Sequence, residues 1–186
     1  RDWSSDVCSS DLLSVARGYN SSCSSSTRGI FGGGYVPTPA GSSSVIDYVT
    51  ISSTGNATSF GSLTVSRYYL AACSSATRGL FGGSGPGAGT NTIDYITISS
   101  TGNAVSFGQL TQARGQLASC ASPTRGVWAG GYATPSNRNT IDFVTIATLG
   151  NATTFGNLTT SRSILAGCSN PIRGLFGLGG TSTIEY

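Results

Sequence analysis

The stretch that decides the fold is IDYVTISSTGNATSFGSLTVSRYYLAACSSATRG, residues 46–79. It returns at 93–126 and again at 141–174, and each time the step from the leading Ile to the Arg of the RG pair is 32 residues. The step from that Arg to the next Ile varies: 18 residues from Arg28 to Ile46, 15 from Arg78 to Ile93, 16 from Arg125 to Ile141 and 11 from Arg173 to Ile184. All length variation therefore falls in one segment per repeat, just after a glycine cluster. A constant scaffold carrying one variable loop per unit is the pattern of a repeat architecture.

Period-2 alternation divides each unit into four short strands. The first is a small-residue strand, at 19–24, 69–74, 116–121 and 164–169. The second follows the RG arginine, at 28–33, 78–83, 125–130 and 173–178. The third runs over 45–52, 92–99 and 140–147, and the fourth over 57–63, 104–110 and 152–158. Gly55-Asn56, Gly102-Asn103 and Gly150-Asn151 suit a tight hairpin turn between the last two, because its first position needs positive φ. The third strand is apolar on both faces: Ile46 and Tyr48 alternate with Val49 and Ile51. Such a sheet needs covering on both sides, and no helical period exists to supply the cover. Radially stacked copies of the same sheet do, so the expectation is an all-β chain forming part of a β-propeller.

The runs IFGGGY (30–35), VIDYVTI (45–51) and ATSFGSLTVSRYYLAAC (57–73) resemble kelch repeats. The matching glycine pairs are Gly32-Gly33, Gly82-Gly83 and Gly130-Gly131; the first aromatic is Tyr48, Tyr95 or Phe143, the second Phe60, Phe107 or Phe155. The kelch-type arginine is Arg17, Arg67, Arg114 or Arg162. The resemblance implies four-stranded antiparallel blades, repeating at about 13–62, 63–109, 110–157 and 158–186, and an open arc of about three and a half blades. It also implies that the three phenylalanines are buried. A complete kelch propeller has more blades, so the reading is a fragment of a longer protein.

Residues 1–12 stand outside the pattern: the repeat asks for an aromatic at 10 and a glycine at 11, and finds Ser10 and Asp11. DWSSDVCSSDL, residues 2–12, resembles the conceptual translation of a sequencing-adapter oligonucleotide and is read as a non-native scar.

Composition narrows function. Outside the first twelve residues every acid (Asp47, Asp94, Asp142, Glu185) occupies one repeat position, and eight of the nine arginines occupy two; Arg138 is the exception. Charge spread this evenly is not a nucleic-acid footprint, and no apolar run is long enough to span a membrane as a helix. Repeated residues point to structure: each Asp is read as pairing with a neighbouring Arg. With no His in the chain, a copper site of the galactose-oxidase type is incomplete. Cys23, Cys73, Cys120 and Cys168, one per repeat, read as small packing residues without a CxxC pair. The glycine-rich run 83–89 lacks the Lys and the following helix of a phosphate loop. No metal, cofactor or catalytic residue is assigned.

The variable loops, 34–44, 84–91, 131–139 and 179–182, are the candidates for binding. They hold Tyr35, Tyr132 and Arg138, and strand alternation places them on the same face as Arg17, Arg67, Arg114 and Arg162. The expectation is a non-enzymatic propeller presenting this face to a protein or glycan. The repeats are also similar to those of virion structural or tail-fibre proteins of tailed bacteriophages, which favours a virion or extracellular setting. Two alternatives stand beside it: a propeller enzyme whose catalytic residues lie in other blades, and an intracellular kelch adaptor.

Overall fold

The computed structural model describes residues 12–85, 87–177 and 180–186. Residues 1–11, almost all of the adapter-like stretch, lie outside the described residues, as do Pro86, Leu178 and Gly179. Among the described residues there is no helix, and the chain builds four successive antiparallel sheets. Blade 1 has its strands at Ser21–Ser24, Arg28–Gly32, Val45–Thr50 and Thr58–Ser62. Blade 2 has them at Ala71–Ser74, Arg78–Ser84, Thr90–Thr97 and Val105–Gln109. Blade 3 has them at Ala118–Ala121, Arg125–Ala129, Ser136–Thr145 and Thr153–Arg162. Blade 4 has three strands, Ala166–Ser169, Gly174–Gly177 and Ile184–Glu185. In each sheet the strands lie in sequence order from the inside outward, and the inner strands of consecutive blades pack side by side. The first and last inner strands do not pack on one another in that way. The arrangement is an open, propeller-like arc of nearly four blades.

The core sits between blades, which is why the strands read as apolar on both faces. Phe60 of blade 1 is buried with Ile96, Ile98 and Ala104 of blade 2. Phe107 of blade 2 is buried in the same way with Val144 and Ile146 of blade 3. Phe155, the third of the series, is 62% exposed, contrary to the expectation from sequence. No described residue of blade 4 covers it as Val144 and Ile146 of blade 3 cover Phe107. A cavity of about 550 Å³ opens there, lined by Phe155, Ile172, Phe176 and Tyr186 among others. At the other end Ile51, the blade-1 counterpart of the buried Ile98 and Ile146, is 55% exposed. The burial of a repeat residue is thus decided by whether a neighbouring blade is present to cover it.

The glycines mark where blades touch. A Cβ on Gly32 would come within 2.5 Å of the Phe81 ring of the next blade, and one on Gly82 within 2.6 Å of Trp128. The RG glycines face the thiols: a Cβ on Gly79 would lie 2.7 Å from Cys23 Sγ, on Gly126 2.9 Å from Cys73 Sγ, and on Gly174 2.6 Å from Cys120 Sγ. Cys23, Cys73 and Cys120 are buried free thiols, whereas Cys168 is exposed. Burial pushes the Cys23 thiol up to about 12 and Cys120 to about 11, so both stay protonated and unreactive at neutral pH.

Three local expectations are corrected. The Gly-Asn pairs do not make tight two-residue turns; the chain turns earlier, with Ser53 N–H donating to Thr50 O at 3.2 Å. The Gly-Asn pair then reaches back to the preceding blade. Asn103 Oδ1 accepts from Ser62 N–H at 3.1 Å, and Gly102 N–H donates to Phe60 O at 2.8 Å. Leu12, the last residue of the adapter-like stretch, makes the corresponding bond to Asn56 Oδ1 at 3.0 Å. In the glycine cluster, Gly130 (φ 62°) matches Gly33 (φ 68°) and Gly83 (φ 72°), so Ala129 holds the place of Gly32 and Gly82. The inner strands also begin two residues later than periodicity implies, because Tyr19, Tyr69, Gln116 and Ile164 sit at φ 55–58°, outside the strand region.

Candidate functional site

Strand alternation predicts two faces, and the backbone bonds separate them. On one face the connection entering each blade bridges to that blade's variable loop: Gly18 with Tyr35, Tyr68 with Gly85, Gly115 with Tyr132. On the other, the short turn after the inner strand meets the Gly-Asn connection, as where Ile98 N–H donates to Thr77 O at 2.9 Å. The variable loops of blades 1, 2 and 3 therefore share one face with the connections, opposite the Gly-Asn pairs. Adjacent loops touch, with Thr134 N–H donating to Gly87 O at 3.0 Å. The blade-1 loop is itself a small hairpin, Tyr35–Pro37 against Ala40–Ser42.

The arginines offered by the sequence for this face divide into two groups. Arg17, Arg67 and Arg114 lie beneath it, with side chains at most 2% exposed, in ion pairs with Asp47, Asp94 and Asp142 at 2.8, 2.9 and 3.0 Å. They are corrected from contact residues to supports. Each Asp also accepts two bonds from the connection: Asp94 takes Thr64 N–H at 3.1 Å and Thr64 Oγ1–H at 2.7 Å, and Ser14 and Thr111 do the same for Asp47 and Asp142. The carboxylate thus fastens the entering chain to the middle of the blade. Burial lowers the pKa of Arg67 and Arg114, and the facing carboxylates oppose that shift. The Nε atoms of all three arginines are buried without a hydrogen-bond partner. Such a pair sets position and register more than it adds net stability.

Arg162 is different. It makes no ion pair with Glu185 like those of the other three; its Nε donates to Thr160 Oγ1 at 2.9 Å. In the blade-3 ladder it stands opposite Arg138, which donates to Ser136 Oγ at 2.9 Å. Arg138 and Arg162 therefore form a patch of like charge at the blade-3 end of the face. Tyr35, Tyr132 and Arg138 are half-buried rather than fully exposed, because the bridges and the ladder draw them against the scaffold.

Of the most distinctive group on the face, sequence reasoning singled out Tyr35 alone. Tyr19, Tyr35, Tyr68 and Tyr69 converge where blades 1 and 2 meet. Ring centroids are 4.4 Å apart for Tyr19–Tyr69, 5.2 Å for Tyr68–Tyr69, 5.3 Å for Tyr35–Tyr68 and 6.4 Å for Tyr19–Tyr68. Tyr19 is 58% exposed. The phenol of Tyr69 is raised above its ordinary value, first by desolvation and then by the neighbouring Tyr19 phenol. A backbone relay holds the group: Tyr69 N–H donates to Tyr19 O at 3.1 Å, Gln116 N–H to Tyr69 O at 2.9 Å, and Ile164 N–H to Gln116 O at 2.8 Å. Donor and acceptor in this relay are the same positive-φ residue in successive blades, so the bonds between blades offset the backbone strain.

Beside the tyrosines lies a cleft of about 320 Å³, lined by Ser42, Ser66, Arg67, Tyr68, Ser84 and Thr90 along with residues of the blade-2 loop. Tyr68 belongs to both the cluster and the cleft. The sequence signal was the break in the repeat: Tyr68 takes the place of Gly18, Gly115 and Ser163, a position otherwise held by small residues. Among the described residues, no group of His, Cys, Asp or Glu is placed to hold a metal ion, and no helix is long and apolar enough to cross a membrane. No protein-family model matches the chain, and a search of curated proteins finds no significant match.

Proposed function

We propose that the chain is a non-enzymatic binding or structural module of the kelch type, which presents variable loops on one face of a rigid arc to a protein or glycan. The observation that carries this reading is the contrast between scaffold and face. Residues that recur at every repeat are consumed inside the blades, in ion pairs, interblade aromatics and glycine contacts. Side chains at positions that vary between repeats, above all Tyr19, Tyr35, Tyr68 and Tyr69, gather on the loop face. Tyrosine supplies large contact area at low entropic cost, and the surrounding Ser, Gly and Asn supply adaptable hydrogen bonding. A virion or extracellular setting is part of this proposal. The reading involves no cofactor and no nucleic acid.

The test is a loop exchange. Replacing residues 131–139 by 84–91 keeps the anchoring bond, because Gly131 N–H donates to Arg162 O at 2.8 Å and Ser84 N–H to Arg114 O at 3.0 Å. Loop length contributes little closure entropy, so unfolding is expected to change by less than about 1 kcal/mol. Binding to a panel of cell surfaces is expected to change severalfold. Unchanged binding by a folded exchange variant would move the function away from this face.

A further inference from the structure

We infer that the junction of blades 1 and 2 on the loop face is a binding site for a neutral saccharide, with the tyrosine cluster as its platform and the serine-lined cleft as its hydroxyl-recognising wall. The inference rests on the loop-face reading and names the ligand class.

Three features select this ligand. The first is the platform. Four rings with centroids 4.4–6.4 Å apart, one of them 58% exposed, form a continuous apolar and electron-rich surface. The C–H face of a pyranose ring is apolar and weakly positive, and it complements the negative face of an aromatic ring. The second is the wall. Ser42 and Ser66 are exposed, and Thr90 Oγ1–H donates to Ser84 Oγ at 3.2 Å just inside the cleft. Hydroxyls both donate and accept, which matches the mixed character of sugar hydroxyls without selecting a charge. The third is the local charge. Arg67 lines the cleft, yet its side chain is 2% exposed and committed to Asp94 at 2.9 Å. No exposed acid or base flanks the tyrosines among the described residues. The unpaired positive charge of the face belongs to Arg138 and Arg162 in blade 3. An acidic saccharide would gain nothing at the tyrosines that a neutral one does not.

The cleft volume fits one or two sugar units. The platform extends beyond the cleft through Tyr68 to Tyr69 and Tyr19, so a chain of several units spans both.

The experiment is affinity electrophoresis of the whole chain in gels containing dextran, mannan, galactomannan or arabinoxylan, with alginate and hyaluronate as acidic counterparts. Tyr19→Ala, Tyr68→Ala and Ser66→Arg alter exposed or half-buried side chains of the site, and Phe155→Ala removes an exposed aromatic elsewhere. Circular dichroism melting verifies that each variant is folded. The expected result is retardation by at least one neutral polysaccharide. Affinity falls at least tenfold in Tyr68→Ala and Ser66→Arg and stays unchanged in Phe155→Ala. The arms separate this inference from the reading beneath it. If the loop exchange alters cell-surface binding while no neutral polysaccharide retards the chain, the loop face stands and the saccharide assignment falls. Retardation by acidic polysaccharides alone, or equal retardation of wild type and folded Tyr68→Ala, overturns the assignment as well. Loss of retardation in Phe155→Ala together with retention in Tyr68→Ala relocates binding to the blade-4 end and overturns both.

Discussion

One repeat position meets two environments here, buried in blades 1 and 2 and exposed in blade 3. Phe60 and Phe107 are 3% exposed and Phe155 is 62% exposed, although all three make the same edge-on contact at 5.9 Å with the first aromatic of their blade. The intrablade contact is therefore constant, and the interblade cover is what differs. Truncating Phe107 to Ala removes a filled site between two rigid blades and is expected to cost about 3–5 kcal/mol. Phe155→Ala is expected to cost under about 1 kcal/mol, since the ring has little burial to lose. Urea unfolding of both variants measures the difference; equal losses would mean that the ring–ring contact, and not the neighbouring blade, supplies the energy. The RG arginines follow the same logic. Arg28 and Arg78 stack over Tyr48 and Tyr95 at 4.6 and 5.1 Å and also donate to carbonyls of the next blade. Arg125 keeps the stacking over Phe143 at 4.9 Å.

At the scale of the element, blades 2 and 3 are each fastened at three radii. Near the axis, thiols pack on RG glycines. At mid-blade, Asp binds Arg and a Ser or Thr of the entering chain. At the rim, a Gly-Asn pair grips the preceding outer strand. The rim contact is the closest: a Cβ on Gly108 would collide with the Gly150 carbonyl, whereas one on Gly156, at the same repeat position, meets nothing within 4 Å. Gly108→Ala is expected to destabilise by about 1–3 kcal/mol, as overpacking against fixed backbone does. Gly156→Ala is expected to be neutral or slightly stabilising, and thermal melting reads the contrast. A neutral Gly108→Ala would show that the rim is loose. Much of this was legible in the sequence: the spacing of 32 residues from Ile to Arg, the one variable loop and the Asp–Arg pairing all follow from the register. The tyrosine cluster was not. Tyr19, Tyr35 and Tyr68 belong to two repeats, and their rings meet only once the arc exists. The positive φ of Tyr19, Tyr69 and Gln116 left no trace either, because that conformation is held by bonds from the next blade and not by a local Gly or Asn.

At the scale of the whole molecule, an array in which each unit contacts its neighbours has no uniform stability. Blade 2 is covered on both sides, and its second strand is buried along nearly its whole length. Blade 4 is covered on one side; its inner strand Ala166–Ser169 is exposed throughout, and only Phe176 is buried in its second strand. The apolar area holding blade 4 in place is correspondingly small. Opening of blade 4 alone forfeits the contacts of Phe176 with Cys120 and Ala129, while opening of blade 2 forfeits two interfaces at once. Native-state hydrogen exchange is expected to resolve this as a gradient. Amides of Leu80, Phe81 and Gly82 should exchange only through global unfolding, and those of Leu175, Phe176 and Gly177 through a local opening several kcal/mol lower. The tyrosine site bridges blades 1 and 2, so it should be insensitive to that opening. Conditions that melt blade 4 but leave blade 2 protected should leave binding at the site intact. A single exchange free energy across all four blades would instead make the arc one cooperative unit, with the interblade bonds at its axis outweighing the uneven cover of its ends.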